Sequence, residues 1–230
     1  MSLLGKTRAG TRVATPSAAG APPTAVPRNL RVSNGLKDFL WLLDGVEHGA
    51  LLDLGTVWQS TVSLFVERGF KVYTEDLLRD WKEFRDEYER RRQEAVLRGE
   101  PEAAVADFGA LAEAFLDSIL RHPPETFNAV LAWDVFDYLP PEVGTRLAAR
   151  LNELLRPGGV VLALFHSRLP QSFSRYRVLD PQTVEVLPAP PLLAPVRLFQ
   201  NRELLNLFAG FRSSKTFVGR DQIREGLFTK

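Results

Sequence analysis

From Asn34 onward, the apolar positions switch repeatedly between a helical period and short continuous runs. Leu36, Phe39, Leu40, Leu43 and Val46 recur at helical spacing, with Asn34 placed to cap the start and Gly49 the end. Ala50-Leu51-Leu52-Asp53-Leu54-Gly55 is a short apolar run ending in glycine, which suits a buried parallel strand. Val62, Leu64, Phe65 and Val66 predict a helix stopping at Gly69, and Lys71-Val72-Tyr73-Thr74 a second strand. Together they make a β-α-β unit. Leu78 to Gly99 predicts one long charged helix with Trp81, Phe84 and Tyr88 on one face. After Pro101 an Ala-rich helical stretch runs to Leu120, with room for a short third strand near Phe115-Leu116. Asn128 to Trp133 and Val160 to Phe165 are further buried strands, and Pro141 to Leu155 is the helix between them, closed by Arg156-Pro157-Gly158-Gly159.

The last third alternates differently. Arg175 to Asp180 and Thr183 to Leu187 flank Asp180-Pro181-Gln182 as a β-hairpin, and Pro188, Pro190, Pro191 and Pro195 stiffen the connector after it. A helix from Asn201 to Phe208 precedes two runs, Phe211 to Val218 and Ile223 to Thr229, close enough to pair antiparallel. Strand and helix alternation of this kind predicts a parallel sheet covered on both faces.

Composition narrows the function classes. Lys+Arg is 29 against Asp+Glu 28, a net charge of +1, which gives no basic footprint for nucleic acid. The chain has no cysteine, so thiolate metal sites, disulfides and cysteine nucleophiles are excluded. Three scattered histidines, His48, His122 and His166, do not suggest a metal centre. No apolar run approaches the ~20 residues of a membrane-spanning helix, and a cytoplasmic protein is the expectation. Residues 1–30 carry Lys6, Arg8, Arg12 and Arg28, no acid and four prolines, which predicts a disordered basic tail before a domain at 31–230.

In an open α/β sheet, ligands bind beyond the carboxyl ends of the strands. Asp53, Gly55, Glu75, Asp76, Trp133, Asp134 and His166 hold those positions. The order and spacing of Leu-Leu-Asp-Leu-Gly (51–55), Lys-Val-Tyr-Thr-Glu-Asp-Leu (71–77), residues 127–139, Leu-Leu-Arg-Pro-Gly-Gly (154–159) and Ala-Gly-Phe-Arg (209–212) resemble a class I S-adenosylmethionine-dependent methyltransferase. The resemblance implies a Rossmann-like, seven-stranded, mainly parallel sheet with helices on both faces. It also implies an antiparallel C-terminal edge strand at Ile223 to Thr229, with residues 167–196 as an inserted hairpin and connector.

For the cofactor S-adenosylmethionine, the resemblance implies that Asp76, with Glu75 beside it, grips the ribose hydroxyls. Asp53 orients the first loop, Asp107 or Asp117 meets adenine, and Trp133 with Asp134 lines the sulfonium. Asp134, Tyr138 and His166 would face the methyl acceptor, with the hairpin as a lid. Each has a structural alternative: Asp76 as a helix cap, Trp133 as core filling, His166 as a satisfied buried residue. One block departs from the family. Its glycine-rich loop is here Gly55-Thr56-Val57-Trp58-Gln59, and Val57 and Gln59 are expected to crowd the cofactor. Ser60 and Thr61 are expected to cap the helix that follows.

Three functions compete at this level. The first is a methyltransferase acting on a small molecule or a protein, since the Asn-Pro-Pro-aromatic motif of base and glutamine methylation is missing. The second is a non-catalytic scaffold of the same fold, with the helix at 78–99 as a partner surface. The third, a nicotinamide-dependent enzyme, lacks the Gly-x-Gly-x-x-Gly it would need.

Overall fold

The computed structural model describes residues 28–99, 108–219 and 221–230. The basic segment up to residue 27 and Asp107 lie outside them. In chain order the elements are β1 (Leu30–Val32), α1 (Asn34–Leu42), β2 (Ala50–Asp53), α2 (Gln59–Val66), β3 (Lys71–Thr74), α3 (Leu77–Leu97), α4 (Phe108–Ile119), β4 (Phe127–Trp133), α5 (Val135–Tyr138), α6 (Pro141–Leu154), β5 (Leu155–His166), β6 (Ser174–Asp180), β7 (Thr183–Pro188), α7 (Asn201–Leu207), β8 (Ser213–Val218) and β9 (Ile223–Thr229).

The main sheet has six strands in the order β3-β2-β4-β5-β9-β8. β3, β2, β4 and β5 run parallel, and β9 is antiparallel to both of its neighbours. Two expectations are corrected here. The sheet holds six described strands instead of seven, and Ile223 to Thr229 lies one strand in from the edge, covered by β8. The third strand foreseen near Phe115-Leu116 is helix: both residues are buried on α4, where the Phe115 ring packs edge-on against Trp81 at 5.1 Å. The hairpin forms as foreseen, but it joins β1 in a separate three-stranded sheet, β1-β7-β6. Leu30 therefore belongs to the folded unit.

Where both faces are buried, the central strands run as apolar stretches, residues 129–133 of β4 and 160–165 of β5. On β5, Val161, Ala163 and Phe165 enter the core beneath α3, α4, α6 and α7, while Val160, Leu162 and Leu164 enter the core shared with α1, α2 and the hairpin. Burial on this scale supplies the main driving force for the fold, at about 25 cal/mol per Å² of apolar surface. Among the described residues, no helix is long and apolar enough to cross a membrane.

Helix starts differ from expectation in ways that matter for the site. Ser33, not Asn34, caps α1, its Oγ accepting from the Leu36 N–H at 2.9 Å. Neither Ser60 nor Thr61 caps α2: Ser60 Oγ is buried without a partner among the described residues, and Thr61 Oγ1 accepts from the Val178 N–H of the hairpin at 2.9 Å. That bond, with Arg177 lying 5.3 Å over the Trp58 ring, ties the small sheet down on α2. The hairpin is thus held across the carboxyl end of the main sheet.

Candidate functional site

Three strand ends converge beneath the hairpin. β2 ends at Asp53, which is fully buried. One of its oxygens, Oδ1, accepts from the Gly55 N–H at 3.0 Å and from the Trp133 indole Nε1–H at 2.6 Å. Burial drives the Asp53 pKa from an ordinary 3.8 up to about 7. Those two hydrogen bonds oppose the shift, and the charge of Asp76 adds to it.

Trp133 takes its position through strained backbone. At the end of β4 its φ is +44°, a region that bulky residues rarely occupy, next to an irregularity in the pairing with β5. The indole consequently lies over Gly55. A Cβ on Gly55 would stand 2.6 Å from Trp133 Cδ1 and 2.7 Å from Nε1. The indole also stacks on Tyr176 of β6, with centroids 5.6 Å apart and planes within 8°.

β3 ends before Glu75 and Asp76. The Glu75 N–H continues the sheet by donating to the Asp53 carbonyl at 2.8 Å, and partial burial beside Asp80 raises the Glu75 pKa. Asp76 stands at the cap position of α3 yet makes no capping bond. Its Oδ2 accepts from Thr56 Oγ1 at 3.0 Å and its Oδ1 from Arg175 Nη1 at 2.8 Å. The Asp76 and Arg175 side chains are only 10% and 19% exposed. Between Leu54, Gly55, Thr56, Trp133, Arg175 and Tyr176 there remains a cavity of about 10 Å³, room for one water at most.

Residues 55–59 hold none of the positive φ angles that would call for further glycines. Val57 and Gln59, expected to crowd the cofactor, are both exposed, Val57 by 59%. The narrow space itself is lined by Trp133, Arg175 and Tyr176.

The strand ends at Trp133 and His166 gather a second group. Asp134 Oδ2 accepts from the Tyr176 hydroxyl at 3.0 Å and lies 3.1 Å from His166 Nε2. Burial works against a charged His166, but the Asp134 bond and the charges of Asp134, Asp137 and Asp221 outweigh it and raise the pKa. Asp137, in the short helix α5 that the sequence pattern did not reveal, accepts from the His166 N–H at 2.7 Å through Oδ2, while its buried Oδ1 has no partner among the described residues. Burial pushes Asp137 up to about 7. Tyr138 is buried with its ring edge-on to Phe173 at 5.3 Å. Its unpartnered hydroxyl is made a weaker acid by burial and by the charges of Asp134 and Asp137.

The structure therefore brings Asp53, Gly55, Asp76, Trp133, Asp134 and His166 together and adds Arg175, Tyr176 and Thr56, which the sequence reading missed. Asp117 stands apart, on the exposed side of α4 in a surface groove with Arg146 and Arg150 of α6. Among the described residues, no group of acids and histidines is arranged to hold a metal.

Among solved structures of similar fold are S-adenosylmethionine-dependent methyltransferases. A 1,6-didemethyltoxoflavin-N1-methyltransferase from Burkholderia thailandensis, solved with S-adenosylhomocysteine, is 16% identical over 85% of this chain and 76% of its own, with a TM-score of 0.44. An S-adenosylmethionine-dependent methyltransferase from Methanosarcina mazei is 14% identical over 80% of this chain and 93% of its own, with a TM-score of 0.42. The likeness is one of fold alone. No protein-family model matches the chain, and no curated protein does.

Proposed function

We propose that this chain is a methyltransferase-fold protein that works as a binding module and does not take up S-adenosylmethionine in its crevice. The observation that carries this reading is the Trp133 indole lying over Gly55, bonded to Asp53 and stacked under Tyr176. Small-molecule pockets run to about 300–1,000 Å³, against the 10 Å³ left here. Asp76, the carboxylate suited to a ribose diol, already has both oxygens engaged by Thr56 and Arg175. The residues present do not fit the cofactor, and no chemical step is derived through it.

A second reading keeps the protein as an enzyme whose hairpin swings away. It has one observation in its favour: β6 and β7 belong to a sheet of their own and share no ladder with the main sheet. Opening would have to break the Trp133–Tyr176 stack, the Arg175–Asp76 pair and the Thr61–Val178 bond together. Thermal unfolding with S-adenosylmethionine or S-adenosylhomocysteine separates the two. A ligand present at 100 times its Kd adds about 2.7 kcal/mol of stability, so an opening enzyme shows a raised Tm. The binding-module reading predicts an unchanged one.

A further inference from the structure

Beside the filled crevice lies a second, open cavity that the reading above leaves unused. It measures about 450 Å³ and runs between the small sheet and the turn that leads into β9. Its wall includes His166, Arg168, Ser172, Ser174, Tyr176 and Asp221. Polar hydrogen-bonding groups line it on several sides, and its size is that of a small-molecule site.

The charges around it are unequally satisfied. Asp134, behind the wall, is held by His166 Nε2 and the Tyr176 hydroxyl. Asp221 accepts from Arg31 Nε at 2.6 Å. His166 has its Nε2 turned to Asp134, and its Nδ1 has no partner among the described residues. Arg168 is exposed, two residues further on, and has neither an ion pair nor a hydrogen bond among the described residues. Arg168 and His166, whose Nδ1 carries a proton when the ring is charged, therefore line one cavity with two serines, and among the described residues no uncommitted carboxylate lines it.

We infer that this cavity binds the carboxylate, phosphate or sulfate group of a small molecule, with Arg168 as the anchoring cation and His166 Nδ1–H as the second donor. Charge-assisted hydrogen bonds of this kind are about twice as strong as neutral ones. The cavity lies outside the crevice, so this inference and the absence of cofactor binding stand or fall separately.

The groups facing His166 are Asp134 just before α5, Asp137 from α5, Tyr176 from β6, Asp221 before β9 and Arg168 on its own loop. These acids hold the ring in its charged form to a higher pH than usual. Anion affinity is therefore greatest on the acid side and declines as His166 loses its proton.

The test is an NMR titration of the His166 imidazole in the full chain with sodium sulfate and with sodium acetate. Sodium chloride at matched ionic strength serves as the control. Sulfate keeps its charge throughout, so any pH dependence belongs to the protein. The expected result is a saturable shift with sulfate, acetate or both, weakened roughly tenfold or more in Arg168→Ala and declining as pH rises through the His166 titration. Response to sulfate alone assigns the site to phosphate- or sulfate-like groups, and response to acetate alone to carboxylates. Arg168 is exposed, so its replacement leaves the fold intact. No shift with either anion, an equal shift with chloride, or an unchanged affinity in Arg168→Ala would overturn the inference.

Discussion

Arg175 Nη1 ends 2.8 Å from Asp76 Oδ1, joining the hairpin to the end of β3 across 99 residues of sequence. The pair closes one side of the crevice. With Thr56 on the second oxygen, Asp76 is satisfied within the protein.

Removing the guanidinium should therefore loosen the hairpin without unfolding the sheet. Arg175→Ala leaves Asp76 with Thr56 alone, and losing a hydrogen bond to a charged group costs about 1.5–3 kcal/mol. Because the pair keeps some contact with solvent, the lower end of that range is expected. Urea unfolding gives the size of the loss. Hydrogen exchange should show it concentrated in β6 and β7, and a loss spread evenly over the main sheet would contradict the assignment.

Gly55 is predicted to be coupled to Trp133. A methyl group at Gly55 meets the indole at 2.6 Å, and overpacking of this kind costs about 1–3 kcal/mol. In a double-mutant cycle, Gly55→Ala should be costly beside Trp133 and nearly neutral beside Trp133→Ala. Additive effects would show that the indole does not rest on Gly55.

The loop glycines missing from residues 57 and 59 are expected to be unimportant for closure. Val57→Gly with Gln59→Gly removes two exposed side chains, so it should create no cofactor site. At the start of α2 the added glycine should lower stability by about 0.5–1 kcal/mol. Micromolar binding of S-adenosylmethionine by this variant would show that the loop was the obstacle after all.

The parts of the fold carried by local periodicity were readable in the sequence. β2, β3, β4, β5 and the hairpin all announced themselves as apolar runs or alternations. Two things were not: the short helix α5, too brief for a period, and β1, whose three residues pair only across the chain with β7. The candidate site was half legible for the same reason. Asp53, Asp76, Trp133, Asp134 and His166 could be placed at strand ends by counting. The strained φ of Trp133 and the reach of Arg175 and Tyr176 depend on contacts that no short-range pattern encodes. The loss of two glycines in the first loop drew attention to this crevice, but it carried no sign of Trp133, Arg175 or Tyr176.

Buried acids set the pH dependence. Asp53 and Asp137 have pKa values raised to about 7 in the folded chain, so between the unfolded value near 3.8 and about 7 the folded state holds more protons. Their contribution to stability is thus greatest at low pH and falls as pH rises through that window. His166, raised by Asp134, acts in the same direction through its own titration. Asp53→Asn keeps an oxygen for Trp133 and Gly55 while removing the charge, so it should flatten the decline in stability toward pH 7. Chemical denaturation across the range reads this directly. A variant as steeply pH-dependent as the parent would place the Asp53 titration elsewhere.

The proposal that the chain's own side chains fill the crevice and leave no room for S-adenosylmethionine is tested most directly by isothermal titration calorimetry with S-adenosylmethionine and S-adenosylhomocysteine. The parent protein is predicted to bind neither more tightly than about 1 mM. The Trp133→Ala, Arg175→Ala double variant, measured where it remains folded, is predicted to gain affinity and to lose it again on Asp76→Ala. Micromolar binding by the parent protein would contradict the account.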